Sequence, residues 1–109
     1  MIKEVEEQIK EDEKKIDKNC PLCRLYHFEE IRTKLYHKDR LCIIVECESS
    51  HVPMLVSRFH EREPNKSELN HMVNLLINLS KTKEWKEKGW GYVDFTNHAV
   101  LNHFHIHMR

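Results

Sequence analysis

Two groups of residues carry chemistry that fold construction alone does not ask for. The first is His103-Phe104-His105-Ile106-His107-Met108-Arg109. Polar and apolar residues alternate strictly, which is the period of a half-buried β-strand. His103, His105 and His107 then share one face, and Phe104, Ile106 and Met108 share the other. Neighbouring histidines on that face stand roughly 6.8 Å apart, at a rise of about 3.4 Å per residue. Imidazoles are poor core material, and a solvated face is normally mixed Lys, Glu and Thr. A pH-sensitive polar face is the plainer reading. The sharper ones are a metal site, or a histidine nucleophile with its supporting groups. The second group is Cys20-Pro21-Leu22-Cys23. A C-x-x-C is half of a tetrahedral zinc site or a redox pair. The redox reading wants a βαβ context that the following residues do not supply. Zinc is favoured; it wants two more ligands, and the chain has histidine to spare.

The composition bounds what these residues can serve. A chain of 109 residues is one domain with room for one core. Lys+Arg and Asp+Glu are 18 each, so there is no basic surplus for nonspecific nucleic-acid binding. Nine histidines are many for this length and make net charge sensitive between about pH 5 and 8. No apolar run reaches membrane-spanning length, and the charged N-terminal stretch lacks the apolar centre of a signal peptide. The expectation is a cytoplasmic protein with no membrane partner, whose four cysteines are thiols or metal ligands and not disulfides.

The elements that must position the two groups follow in order. Residues 1–19 read as a charged amphipathic helix with Ile2, Val5, Ile9 and Ile16 as its stripe, most simply a solvated helix lying across the core. Residues 20–109 are the domain proper. Leu25 to Glu30 reads as a helical turn. Thr33 to His37, Leu41 to Cys47 and His51 to Arg58 read as strands, with Cys42 and Cys47 as small core or boundary residues. Their short connections favour an antiparallel meander. Asn65 with Glu68 three residues on is a capping-box start. Leu69, Met72, Val73 and Leu76 then share one helical face, in a helix running through Leu79 and fraying toward Gly89, with His71 on its surface. Trp90 to Thr96 is a fourth strand and the histidine strand the fifth. The expected fold is α+β: an antiparallel five-stranded sheet, a meander, with one long helix inserted before the last two strands, plus the N-terminal helix.

The His-φ-His-φ-His-φ pattern of residues 103–108 resembles the signature of the histidine-triad (HIT) superfamily. Cys20-Pro21-Leu22-Cys23 looks like the N-terminal cysteine pair of its zinc-containing members. Residues 33–47 are similar to the family's first two strands. Residues 51–60 resemble its strand running between two histidines, with one extra residue that shifts His51 or is absorbed as a bulge at Pro53. Asp94-Phe95-Thr96-Asn97 resembles the strand end carrying the family's ribose- or phosphate-side Asn. The resemblance covers roughly residues 20–109.

The resemblance implies a nucleotide hydrolase or nucleotidyl transferase. His105 would attack an α-phosphate to give a covalent nucleotidyl-histidine, its other nitrogen held as a donor, typically to a backbone carbonyl. His107 and His51 would stabilise the phosphate or leaving group, and Asn97 and Asp94 would bind substrate. The implied metal ligands are Cys20, Cys23, His60 and His103, a closed shell around a structural Zn2+. The implied partners are a purine nucleotide, or a nucleoside phosphoramidate or polyphosphate, and a second copy in a homodimer. His98-Ala99-Val100-Leu101-Asn102 stands where the family carries a Gly-Gln-Ser-type stretch. That departure favours an alternative: a non-catalytic nucleotide-binding or regulatory module of the same fold. The third choice is a metalloenzyme using the triple-histidine strand, although three histidines on a straight strand span too far for one ion.

Overall fold

A computed structural model describes residues 16–96 and 102–109. Most of the expected N-terminal helix, and Asn97 to Leu101, lie outside the described residues. Within them the order is α1 (Pro21–His27), β1 (Leu35–Lys38), β2 (Cys42–Glu46), β3 (Pro53–His60), α2 (Lys66–Ser80), α3 (Lys83–Lys88), β4 (Val93–Asp94) and β5 (His103–Met108). The fold is α+β with a five-stranded antiparallel sheet, as expected. The meander holds only for its first half. The strand order is β1-β2-β3-β5-β4, so the histidine strand enters the middle of the sheet beside β3 and leaves β4 on the edge. The reason is hydrophobic. β5 buries residues on both faces and needs neighbours on both sides, whereas the two-residue β4 is half-exposed and suits an edge.

The sheet separates two apolar clusters. On one face Cys42, Ile44, Leu55, Ile106 and Met108 pack against Met72 and Leu76 of α2 and Trp85 of α3. On the other, Ile43, Val45 and Val56 pack against Cys20, Leu22, Cys23 and Tyr26, on or next to α1. The strict alternation of β5 sends Ile106 and Met108 to the α2 side, which leaves its histidines facing α1.

Local signals explain most element ends. Asn65 accepts from the Glu68 amide at 2.9 Å while the Glu68 carboxylate accepts from the Asn65 amide at 2.8 Å, the expected capping box. The buried Glu68 is also held by a fork from Arg62 at 3.1 and 3.0 Å. The long helix does not fray toward Gly89. It stops at Ser80, and a new helix starts after Thr82 and buries Trp85, closed by Gly89 in the left-handed region at φ 75°. The helical turn expected at Leu25–Glu30 starts earlier, at Pro21, because proline suits the first position of a helix. Residues 16–19, expected at the end of the N-terminal helix, form a turn in which the Cys20 amide donates to the Asp17 carbonyl at 3.1 Å. Among the described residues no helix is long and apolar enough to cross a membrane.

Leu76 is fully buried on the α2 side, away from the histidine face. Leu76→Ala is expected to cost about 2–5 kcal/mol of stability in urea unfolding, with metal content per folded chain unchanged.

Candidate metal centre and adjoining cleft

Pro21 opens α1 between the two cysteines, so Cys20 caps the helix and Cys23 follows within its first turn. One helical turn brings both sulfurs to the same side. The other two donors come from the sheet. His60 pairs with His103 across β3 and β5, beyond an irregularity between Val56 and His60. The extra residues there form a bulge, at the metal end of β3 and not at Pro53. All four side chains are buried, and their donor atoms lie within 4.8 Å of one another.

The spacing fits a tetrahedral ion. Bonds of about 2.3 Å to sulfur and about 2.0–2.1 Å to nitrogen give N–N and N–S edges of roughly 3.3–3.6 Å. His60 Nδ1 lies 3.4 Å from His103 Nδ1, and 3.3 Å from Cys23 Sγ. His103 Nδ1 lies 3.5 Å from each of the two sulfurs. The His103 Nε2–H donates to the Ser57 carbonyl at 2.5 Å, which leaves Nδ1 with its lone pair aimed at the cysteines. His60 Nε2 faces Glu61 at 3.7 Å and Asp17 at 3.9 Å. The groups are poorly placed without a cation. Burial, with Cys20 alongside, pushes the Cys23 thiol up to about 12. Burial pushes the His103 imidazole down to about 4. A cation bound to two thiolates and two neutral imidazoles gives a locally neutral shell, which is what a buried site needs. The cluster can hold a metal ion, and its four protein donors leave no coordination position open.

Beside this cluster lies a cleft of about 880 Å³. Pro21, Leu22 and Leu25 of α1 form one wall, and His105, His107 and Arg109 line the other side with Asp94 and Thr96. Arg32, Ser49 and Ser50 contribute from the loops flanking β1 and β2. His105 is 2% exposed, and its Nδ1–H donates to the His103 carbonyl at 2.9 Å. A carbonyl only accepts, so Nε2 is the nitrogen that carries the lone pair. Burial pushes the His105 pKa down, helped by His107, so the ring is neutral at pH 7. Burial lowers that of His107 as well, aided by Arg109 and opposed by Asp94. His107 packs edge-on against His105 with ring centres 5.8 Å apart.

The structure thus brings Cys20, Cys23, His60 and His103 together, and puts His105, His107 and Asp94 on one cleft. Asp94 is occupied: its carboxylate accepts from Arg109 Nε at 2.8 Å and from the Thr96 amide at 2.9 Å. His51 does not line the cleft. It sits before β3 with φ 60°, its side chain 76% exposed and 3.6 Å from Glu46. The left-handed backbone there turns the side chain out of the strand. Asn97 lies outside the described residues. Among them, neither His105 nor His107 belongs to a group of three donors that can share an ion. Sequence reading missed Arg109, although it shares the parity of the three histidines. Arg32 carries no periodic signal, and the Ser57 carbonyl is a backbone group that no side-chain pattern reveals.

Cys23→Ser is expected to abolish stoichiometric metal, and Cys47→Ser, outside the cluster, to leave it intact, by elemental analysis of the purified proteins. Chelation is expected to lower unfolding free energy by about 4 kcal/mol relative to protein at a thousandfold excess of free metal over its Kd.

No protein-family model, no curated protein and no solved structure matches this chain.

Proposed function

We propose that the chain is a histidine-triad-like nucleotidyl transferase or hydrolase, built on a structural zinc and using His105 as nucleophile. The observation that carries this reading is the bond from His105 Nδ1–H to the His103 carbonyl, in a ring that lines the cleft. It leaves Nε2 as the nucleophilic atom of a neutral imidazole, with no separate base required. Cys20, Cys23, His60 and His103 would hold the zinc, which supplies structural cross-linking and no Lewis-acid chemistry, because its shell is closed.

The chemistry is two displacements at an α-phosphorus. His105 Nε2 forms the N–P bond as the bond from phosphorus to the leaving oxygen or nitrogen breaks, and the leaving group takes up a proton from solvent. A water oxygen then attacks phosphorus and gives up a proton to solvent, the N–P bond breaks, and the imidazole returns neutral with a nucleoside monophosphate as product. His107, in ring contact with His105, faces the charge that develops on the phosphoryl group. Arg24, Arg32 and the Ser49 hydroxyl are further groups on the cleft that suit a phosphate.

A second reading is a nucleotide-binding module without turnover. It is favoured by His51, which stands on an exposed turn away from the cleft.

The test is rapid quench with adenosine and guanosine phosphoramidates and dinucleoside polyphosphates, followed by intact-mass detection. A nucleotidyl adduct is expected in the wild type and none in His105→Ala, with zinc content equal in both. His107→Ala is expected to slow turnover by about 10²–10³-fold. Turnover retained in His105→Ala would remove the mechanism. Nucleoside monophosphate binding with no adduct would select the binding module.

A further inference from the structure

Five donors converge on one carboxylate in the turn between β1 and β2. Asp39 Oδ1 accepts from the amides of Leu41 at 2.8 Å and Cys42 at 3.0 Å, with the Cys42 thiol at 3.7 Å. Asp39 Oδ2 faces His37 Nε2 at 2.8 Å and His71 Nε2 at 2.7 Å. A carboxylate has about four lone-pair sites, so the group is oversupplied with protons. Three of the five fall on Oδ1, and two imidazoles from different elements share Oδ2. The donor atoms of Asp39, Cys42 and His71 also lie within 4.8 Å of one another. Imidazole nitrogen, carboxylate oxygen and thiol sulfur are together the donor set of a borderline-soft divalent cation.

We propose that Asp39, Cys42 and His71 form a second metal site for a zinc-class divalent cation, with solvent completing the shell and His37 bonded to the Asp39 carboxylate beside it. It shares no ligand with the Cys20, Cys23, His60 and His103 cluster. On binding, the Cys42 thiol releases its proton to solvent. The His71 imidazole carries its proton on Nδ1 and offers the Nε2 lone pair, while His37 keeps its bond from Nε2–H to the Asp39 carboxylate. A cation at the meeting point replaces the crowded protons with one charge and ties α2 to the β1–β2 turn. The site differs from the first in access. The side chains of His37, Asp39 and His71 are 32%, 24% and 42% exposed, so an ion exchanges with solvent there, while Cys42 anchors it from the core. The donors of the first cluster are all buried; the second site fills and empties with free metal.

The full-length chain, dialysed against buffers of rising free zinc from nanomolar to micromolar, tests this by elemental analysis. One tight equivalent and a second, weaker one are expected. The double variant His37→Ala/His71→Ala, altered only at partly exposed side chains, is expected to lose the second and keep the first, which also certifies its fold. With cobalt(II) as probe, the second equivalent should add a thiolate-to-metal charge-transfer band that is absent in Cys42→Ser. A wild type that takes up only one equivalent overturns the site. So does a second equivalent that persists in the double variant, or a second cobalt spectrum indifferent to Cys42→Ser.

Discussion

The convergence of two sulfurs and two imidazole nitrogens is the constraint on which this structure depends. Cys20 caps α1 and Cys23 lies within it, His60 is at the end of β3 and His103 at the start of β5. Without a shared ion these are four polar groups packed in a buried place where neither the Cys23 thiolate nor the His103 imidazolium is stable. With one, the charges cancel locally and three segments far apart in sequence are joined. A short helix such as α1 holds its place in a small domain only through what it packs against. Its apolar contacts are Leu22 and Tyr26 against Ile43, Val45 and Val56, and a shared ion would add the directional part.

The same strand links the candidate metal cluster to the cleft. His103 and His105 use the same device in turn: one ring nitrogen donates to a backbone carbonyl, which frees the other for work. His103 donates from Nε2 to Ser57 and presents Nδ1 to the cysteines. His105 donates from Nδ1 to the carbonyl of His103 itself and presents Nε2. The two rings are therefore turned opposite ways on one face of one strand. The backbone that orients the His105 ring is that of a candidate metal ligand, so an ion that fixed His103 would also fix the acceptor that sets the His105 tautomer. α1, which the cysteine pair opens, forms a wall of the cleft that His105 lines.

Patterns with a fixed period were legible in the sequence. The strict alternation of residues 103–108 gave the strand and the face of its histidines, and the spacing of Asn65 and Glu68 gave the helix start. The cysteine pair was legible as half of a metal site because two thiols three apart can meet on one side of a turn. What was hidden depends on long-range partners. The alternation of β5 does not say which strands flank it, so the meander was the simplest reading and the insertion beside β3 could not be seen. The outward turn of His51 follows from a left-handed backbone angle at a residue that sequence gives no reason to put there. The meeting of His37, Asp39 and His71 joins a strand, a turn and a helix whose relative placement only the packed core sets.

The bulge in β3 decides whether the metal shell can exist. Val56 pairs with His105, and a regular antiparallel continuation would set Arg58 opposite His103. A guanidinium there would point a permanent cation toward the cysteines, where the site needs a lone pair. The offset carries the strand two residues further, so that His60 takes that place. Because the offset is two, parity is kept, and His60 still points to the face of His103. Arg58 is displaced to lie over the Tyr26 ring, with its carbonyl 2.9 Å from His27 Nε2, so the same irregularity also secures the far end of α1. A one-residue slip would have turned His60 toward the α2 core and left the cluster with three ligands. The local disruption of the sheet ladder at Ser57–Phe59 is thus what makes the fourth ligand available, and the Ser57 carbonyl it frees from the ladder is the one that orients His103.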